Sequence, residues 1–238
     1  MQRELTWHGG RNIRDLGGLP TITGTTTIPS RVARSARREL LTDVGWRDAA
    51  AWGLHSIVDL RTEAETGSRD GDPIAHAPEH VTITLAPTED QQNREFVEVC
   101  FPILDSPEYW AHNVRILPEL LRTTLEAIAD AEPGILFHCS AGRDRTGLIS
   151  TLLLANAGVT VEAIVADYAL GVRAMAGAGA NGAATHDRQA TWTDAETDAF
   201  LAEVTPHVVA FAGRIDEHLD TLAVATQTRA RLRELLTV

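Results

Sequence analysis

Residues 134–158, GILFHCSAGRDRTGLISTLLLANAG, constrain this chain most. The opening GILFHC is short and apolar and predicts a strand over 134–139. The closing GLISTLLLANAG is apolar on nearly every side and predicts a buried helix over 147–158, stopped by Gly158. Between them lies a short loop with a glycine. A strand that ends in a loop and restarts as a helix aims free N–H groups and the positive end of the helix dipole at the loop. The segment therefore calls for an α/β layer and carries an anion site within it.

The surrounding sequence agrees. HSIVDL, 55–60, reads as a buried strand, and HVTITLAP, 80–87, alternates as a second one. Residues 42–54 predict a helix capped by Thr42 or Asp43. Residues 107–131 predict two helical pieces, with Pro118 in the first turn of the second. TVEAIVADYAL predicts a helix after Gly158. TDAE, 193–196, matches a capping box, and helix is expected from 194 to 236 with a break near Pro206. The fold class is α/β: a central, mainly parallel sheet flanked by helices, followed by a helical last third. Residues 1–36 read as irregular, 37–170 as the core, 171–206 as a lid or mobile insertion, and 207–238 as C-terminal helices, all within one domain spanning 1–238.

The loop itself, HCSAGRDRTG, carries chemistry. Gly142 lets the backbone curl so that successive N–H groups converge on an anion, with Ser140, Ala141 and Arg143 completing the cradle. Cys139 sits on its floor. A thiol there is acidified by the helix start and nearby cations and becomes a nucleophilic thiolate. Arg145 has the planar fork that grips two oxygens of a phosphate. Thr146 is placed to donate its hydroxyl to the sulfur, His138 to fix the loop by hydrogen bonding, and Asp144 to set a carboxyl at the rim. The other cysteine, Cys100 in EFVEVCFPIL, reads as buried filler; a redox role for it rests only on its being the second thiol.

Composition excludes several alternatives. A net charge of −12 argues against a nucleic-acid or membrane-surface binder. It leaves an anionic small site open. All 21 basic residues are arginine, so a lysine Schiff base or a Walker lysine is impossible. Two cysteines make no disulfide framework. No apolar run reaches membrane-spanning length, and MQRELTWHGGRNIRDL has no apolar stretch of secretory type, so a cytoplasmic location is expected.

The loop resembles the signature of the cysteine-dependent protein tyrosine phosphatases: His-Cys, five residues, Arg, then Ser or Thr. NIRDLGGL, 12–19, resembles the Asn-x-Arg-Asp-x-Gly-Gly opening of an atypical bacterial branch, and IVDLRTEAE, 57–65, its Asp-Leu-Arg stretch. IVADY, 164–168, fits the helix after the loop. The resemblance runs from about residue 7 to 170. It implies a phosphomonoesterase working through phosphocysteine without metal or cofactor. Substrates would be phosphotyrosine proteins, with phosphoserine, phosphothreonine, phosphoinositides or small phosphate esters as further classes.

By the same resemblance Cys139 is the nucleophile and Arg145 the phosphate clamp. No Trp-Pro-Asp loop is present; the branch places the acid within the signature loop, here Asp144, whose alternative is a brace paired with arginine. Asp90 or Glu89 could share or replace it. The branch often has Lys where this chain has Arg143, which keeps the charge, alters the geometry and weakens the case for lipid substrates. Asn12, Arg14 and Asp15 either brace the loop or form a turn. Asp59 and Arg61 read as a buried scaffold pair, and Asp167 and Tyr168 as supporting or simply helical residues. A non-catalytic phosphate-binding module and, more remotely, a rhodanese-like sulfur-transfer loop are the competing readings.

Overall fold

A computed structural model describes residues 3–177 and 191–238. Five strands form one sheet in the order β1-β2-β5-β3-β4: β1 Arg14–Asp15, β2 Val32–Ser35, β3 Ser56–Asp59, β4 Thr82–Leu85 and β5 Ile135–His138. β1 runs antiparallel to β2, and the other pairings are parallel. Among the described residues the helices are α1 Asp43–Trp52, α2 Arg94–Val99, α3 Tyr109–Ile116, α4 Pro118–Asp130, α5 Asp144–Asn156, α6 Val161–Arg173, α7 Asp194–Ala212, α8 Ile215–Thr221 and α9 Thr226–Glu234. None is long and apolar enough to cross a membrane.

The central strands are buried on both faces, as parallel strands must be when helices cover each side. Ala33, Ile57 and Leu136 face a small core with Trp7, Leu41 and Trp46 under α1. Val32, Val58, Ile135 and Phe137 face the larger core built on α3 to α9. At the centre of the larger core is α5, buried continuously from Thr146 to Leu154. Gly147 permits this depth: a Cβ there would lie 3.1 Å from Trp110 and 3.2 Å from Tyr168. Trp110 in turn meets Tyr168 and Phe211 edge-on, an arrangement aromatic rings favour.

Several expectations need correction. Residues 1–36 are not wholly irregular, because they supply β1 and β2. The sequence hides β2 because VARS puts Arg34 in a fully buried strand, and arginine ordinarily signals surface. The break near Pro206 does not occur: α7 runs through it to Ala212. Burial of Val204, Val208 and Phe211 on one stripe outweighs the lost backbone bond, a cost of about 3 kcal/mol. The helix after the loop begins at Asp144, three residues before the expected Gly147. Strand β4 forms, but as an edge strand exposed along its length. Thr42, rather than Asp43, caps α1, accepting from the Gly45 N–H. Of the expected lid, 171–177 and 191–206 are described, the former continuing α6 and the latter entering α7; 178–190 lie outside the described residues.

Candidate functional site

Cys139 follows β5 directly, at the carboxyl end of the middle strand, where open α/β sheets hold their ligands. It is 3% exposed. The loop after it is fixed by its carbonyls. Ser140 O accepts from the Arg37 N–H at 3.0 Å. Ala141 O and Gly142 O each accept from Asn12 Nδ2 at 3.0 Å, and Gly142 O also accepts from Arg34 Nη2 at 2.8 Å. In a trans peptide the N–H points opposite the carbonyl, and no peptide among the described residues is cis. With these carbonyls turned onto the scaffold, the N–H groups of the same three peptides point the opposite way, toward the inside of the loop. Gly142 is obligatory here: φ is +69°, and a Cβ would lie 2.4 Å from the Ser35 carbonyl.

The braces come from the N-terminal segment. Asn12 is itself left-handed, at φ 55°, a conformation asparagine tolerates better than most residues. Its amide also reaches Gly171 O at 3.2 Å, and its Oδ1 accepts from Arg14. Asp167 on α6 gathers Arg3, Arg14 and Arg34 around one buried carboxylate, with Arg34 at 2.7 Å. Burial alone would raise the Asp167 pKa, but the three guanidiniums hold it well below the usual carboxylate range. Arg14, desolvated and beside Arg34, is lowered to about 10. Asp15 lies apart from the loop. It accepts from Gly17 N, Ser30 N and Trp52 Nε1 and ties the 15–30 turn to α1.

Behind Cys139, His138 is fully buried, with Nδ1 3.1 Å from Cys139 O. Desolvation lowers its pKa to about 4, so it is neutral at physiological pH. Its Nε2 side faces Asp59, which Arg61 grips through Nε and Nη2 at 2.9 and 2.7 Å and Arg38 also contacts. Asp59 and Arg61 thus form the floor beneath the strand ends, joined by Glu39.

Arg145 does not reach over the loop alone. Both its terminal nitrogens donate to Glu65, at 2.7 and 2.8 Å, and this grip lowers the Glu65 pKa to about 2 against the effect of burial. Its Nε lies 3.7 Å from Glu89 Oε2. Asp144 Oδ1 accepts from Arg143 Nε at 2.9 Å. The Thr146 hydroxyl is buried without a hydrogen-bond partner among the described residues, so the expected bond to the sulfur is not formed here. Asp90 spends a carboxylate oxygen on the Gln92 N–H. Ser140 Oγ lies 3.4 Å from Arg69. Burial raises the Cys100 thiol to about 11, so it stays protonated in the core. Among the described residues no cluster of His, Cys, Asp and Glu could hold a metal ion.

The family description "tyrosine phosphatase family" matches residues 5–238. The chain belongs to that family. It is 29% identical over 193 residues to the triple specificity protein phosphatase PtpB of Mycobacterium tuberculosis, a match covering 70% of this chain and 67% of the relative. It is 32% identical over 155 residues to a tyrosine-protein phosphatase of Nostoc commune, covering 64% of this chain and 52% of that one. The chain thus spans about two thirds and about half of these relatives. Against the core catalytic domain of the S. cerevisiae PP-IP phosphatase SIW14, the TM-score is 0.37 at 15% identity, covering 78% of this chain and 94% of that domain.

Of the residues singled out from the sequence, Cys139, Ser140, Ala141, Gly142, Arg143, Asp144, Arg145, Thr146, His138, Asn12, Arg14 and Asp59 converge on this family member's loop or its supports. Asp15 and Asp90 do not. Glu65 and Arg34 were missed. Glu65 had a signal, since Thr62 and Glu65 form a capping box.

Proposed function

We propose that the chain hydrolyses phosphomonoesters, phosphotyrosine foremost, through a phosphocysteine at Cys139. The observation that supports this most directly is a loop whose Ser140, Ala141 and Gly142 carbonyls are held from outside, which turns the opposite side of those peptides inward above a buried cysteine with Arg145 beside it. The Cys139 thiolate attacks phosphorus; the S–P bond forms as the P–O bond to the alcohol breaks, and the departing oxygen takes up a proton. Loop N–H groups hold the equatorial oxygens, where charge spreads in transit. The role of Arg145 follows from its partners: Glu65 takes one N–H from each terminal nitrogen and fixes the guanidinium plane, and the remaining terminal N–H groups and the positive charge serve the phosphoryl oxygens. Water then attacks the phosphocysteine, releasing phosphate and the thiolate, to which the Thr146 hydroxyl can donate.

Cys139→Ser is expected to abolish aryl phosphate hydrolysis, while EDTA leaves the unmodified enzyme active. Acid quenching of the unmodified enzyme should trap phosphate on Cys139, read by mass spectrometry. Strong EDTA inhibition, or tight phosphopeptide binding with no turnover, would sink the proposal.

A further inference from the structure

The phosphocysteine reading leaves one proton to be supplied to the departing oxygen, and the candidate carboxyls are Asp59, Glu65, Glu89, Asp90 and Asp144. Four are committed elsewhere. Asp59 is held by Arg38 and Arg61, Glu65 by Arg145, Asp144 by Arg143, and Asp90 by the Gln92 N–H. Glu89 differs. It is 7% exposed, and its carboxyl lies 3.7 Å from Arg145 Nε, within charge contact but beyond a hydrogen bond. It stands on the side of Arg145 that Glu65 leaves open.

The backbone carrying Glu89 is pinned on both sides. Ala86 N donates to Asp59 O at 2.8 Å and Thr88 N to Leu60 O at 3.3 Å. Asn113 Nδ2 and Thr124 Oγ1 bond the Thr88 and Ala86 carbonyls at 3.0 and 3.1 Å. The loop that carries Glu89 beyond β4 is thus held at the same end of the sheet as Cys139, the end at which a proton donor to the departing oxygen must stand.

We propose that Glu89 is the general acid of the first step: its carboxyl O–H protonates the departing oxygen as the P–O bond breaks, leaving a carboxylate that accepts a proton from the attacking water in the second. This rests on the phosphocysteine reading. Charge balance favours it. One guanidinium already neutralises Glu65, and an incoming phosphate adds further negative charge, so a second carboxylate beside Arg145 is better accommodated as the neutral acid. The groups facing Glu89 are Arg145 and Asp144 from α5, Glu65 from the 62–65 turn, the Tyr109 phenol from α3, and Cys100. Burial is the largest influence and raises the Glu89 pKa; Arg145 and the Tyr109 phenol oppose it, and Glu65 and Asp144 add to it.

The test compares kcat/KM for phenyl phosphate and for 2,4-dinitrophenyl phosphate in the unmodified enzyme, Glu89→Gln and Asp144→Asn, with thermal melts confirming that each is folded. Glu89→Gln is expected to lose about 10²-fold or more on phenyl phosphate, whose leaving group needs the proton, and under about threefold on the dinitrophenyl ester, which does not. The basic limb of its pH profile should also vanish. Equal losses on both esters would overturn the proposal and make Glu89 a positioning partner of Arg145. A leaving-group-dependent loss confined to Asp144→Asn would overturn it in favour of Asp144. A trapped phosphocysteine in the unmodified enzyme keeps these outcomes separate from failure of the covalent mechanism itself.

Discussion

Asp167→Asn keeps the shape of the side chain and removes its charge. In the native fold that carboxylate is 1% exposed and faces Arg34 at 2.7 Å, Arg14 at 3.6 Å and Arg3. The substitution leaves three guanidiniums facing one another, two of them nearly dry. Removing one partner of a buried ion pair costs about 3–5 kcal/mol, and for a domain of this size that lowers Tm by about 6–20 °C. Urea melts give the free energy directly. The deficit should be complete above about pH 4, where the unfolded carboxylate is ionised. It should fade as the pH falls toward the lowered native value, since a depressed acid stabilises only while it is charged.

Activity should fall as well. Arg34 holds Gly142 O and Arg14 holds Asn12, so both braces of the loop slacken; a misplacement approaching 1 Å costs up to about 10²-fold in rate. Adding Arg34→Met to Asp167→Asn removes one of the repelling cations and should restore stability, a coupling of about 0.5–3 kcal/mol. A loss below about 1 kcal/mol with unchanged kcat/KM would refute the view that this cluster supports the loop.

Gly142→Ala should lose at least about tenfold in kcat/KM, because the methyl group meets the Ser35 backbone and the loop must move. Gly24→Ala is the control: its φ is +82° but the space beside it is open, so it should cost about 1 kcal/mol and leave kcat/KM intact. His138 makes the fold sensitive to mild acid. Its native pKa is about 4 against about 6.5 unfolded, so stability present above pH 6.5 is lost as the pH falls toward 4, by about 3 kcal/mol in all. Urea melts of His138→Asn should lack that slope, and an unchanged slope would show that other groups cause it.

What the sequence disclosed and what it hid follow from the range of the interactions. The loop, α5, β3 and β5 are legible because each is specified by neighbours: an apolar run, a glycine, a cap. Strand β2 is not, because Arg34 becomes a core residue only through Asp167, 133 positions away. The same holds for Arg145. Its spacing from Cys139 marks it as a phosphate ligand, but only the fold shows that Glu65, 80 residues earlier, sets its plane. Glu89 was visible only as one of two adjacent acids; burial separates it from Asp90. Pro206 misled because a local rule was read without the packing that overrides it.

The place of β5 in the sheet also orders events during synthesis. Among the described residues it is the last strand made, yet it sits between β2 and β3. Until it emerges, the β1-β2 pair and the β3-β4 pair are separate pieces with open inner edges, and Arg34 has no Gly142 carbonyl to hold, 108 residues downstream. Inserting β5 closes the sheet and delivers Cys139 to its floor in one step. Such long-range closure is slow and exposes strand edges while it waits. A nascent chain therefore has no reactive loop until β5 has emerged, and termination between Cys139 and α6 yields a fragment that has the cysteine but not the Asp167 that orders its surroundings.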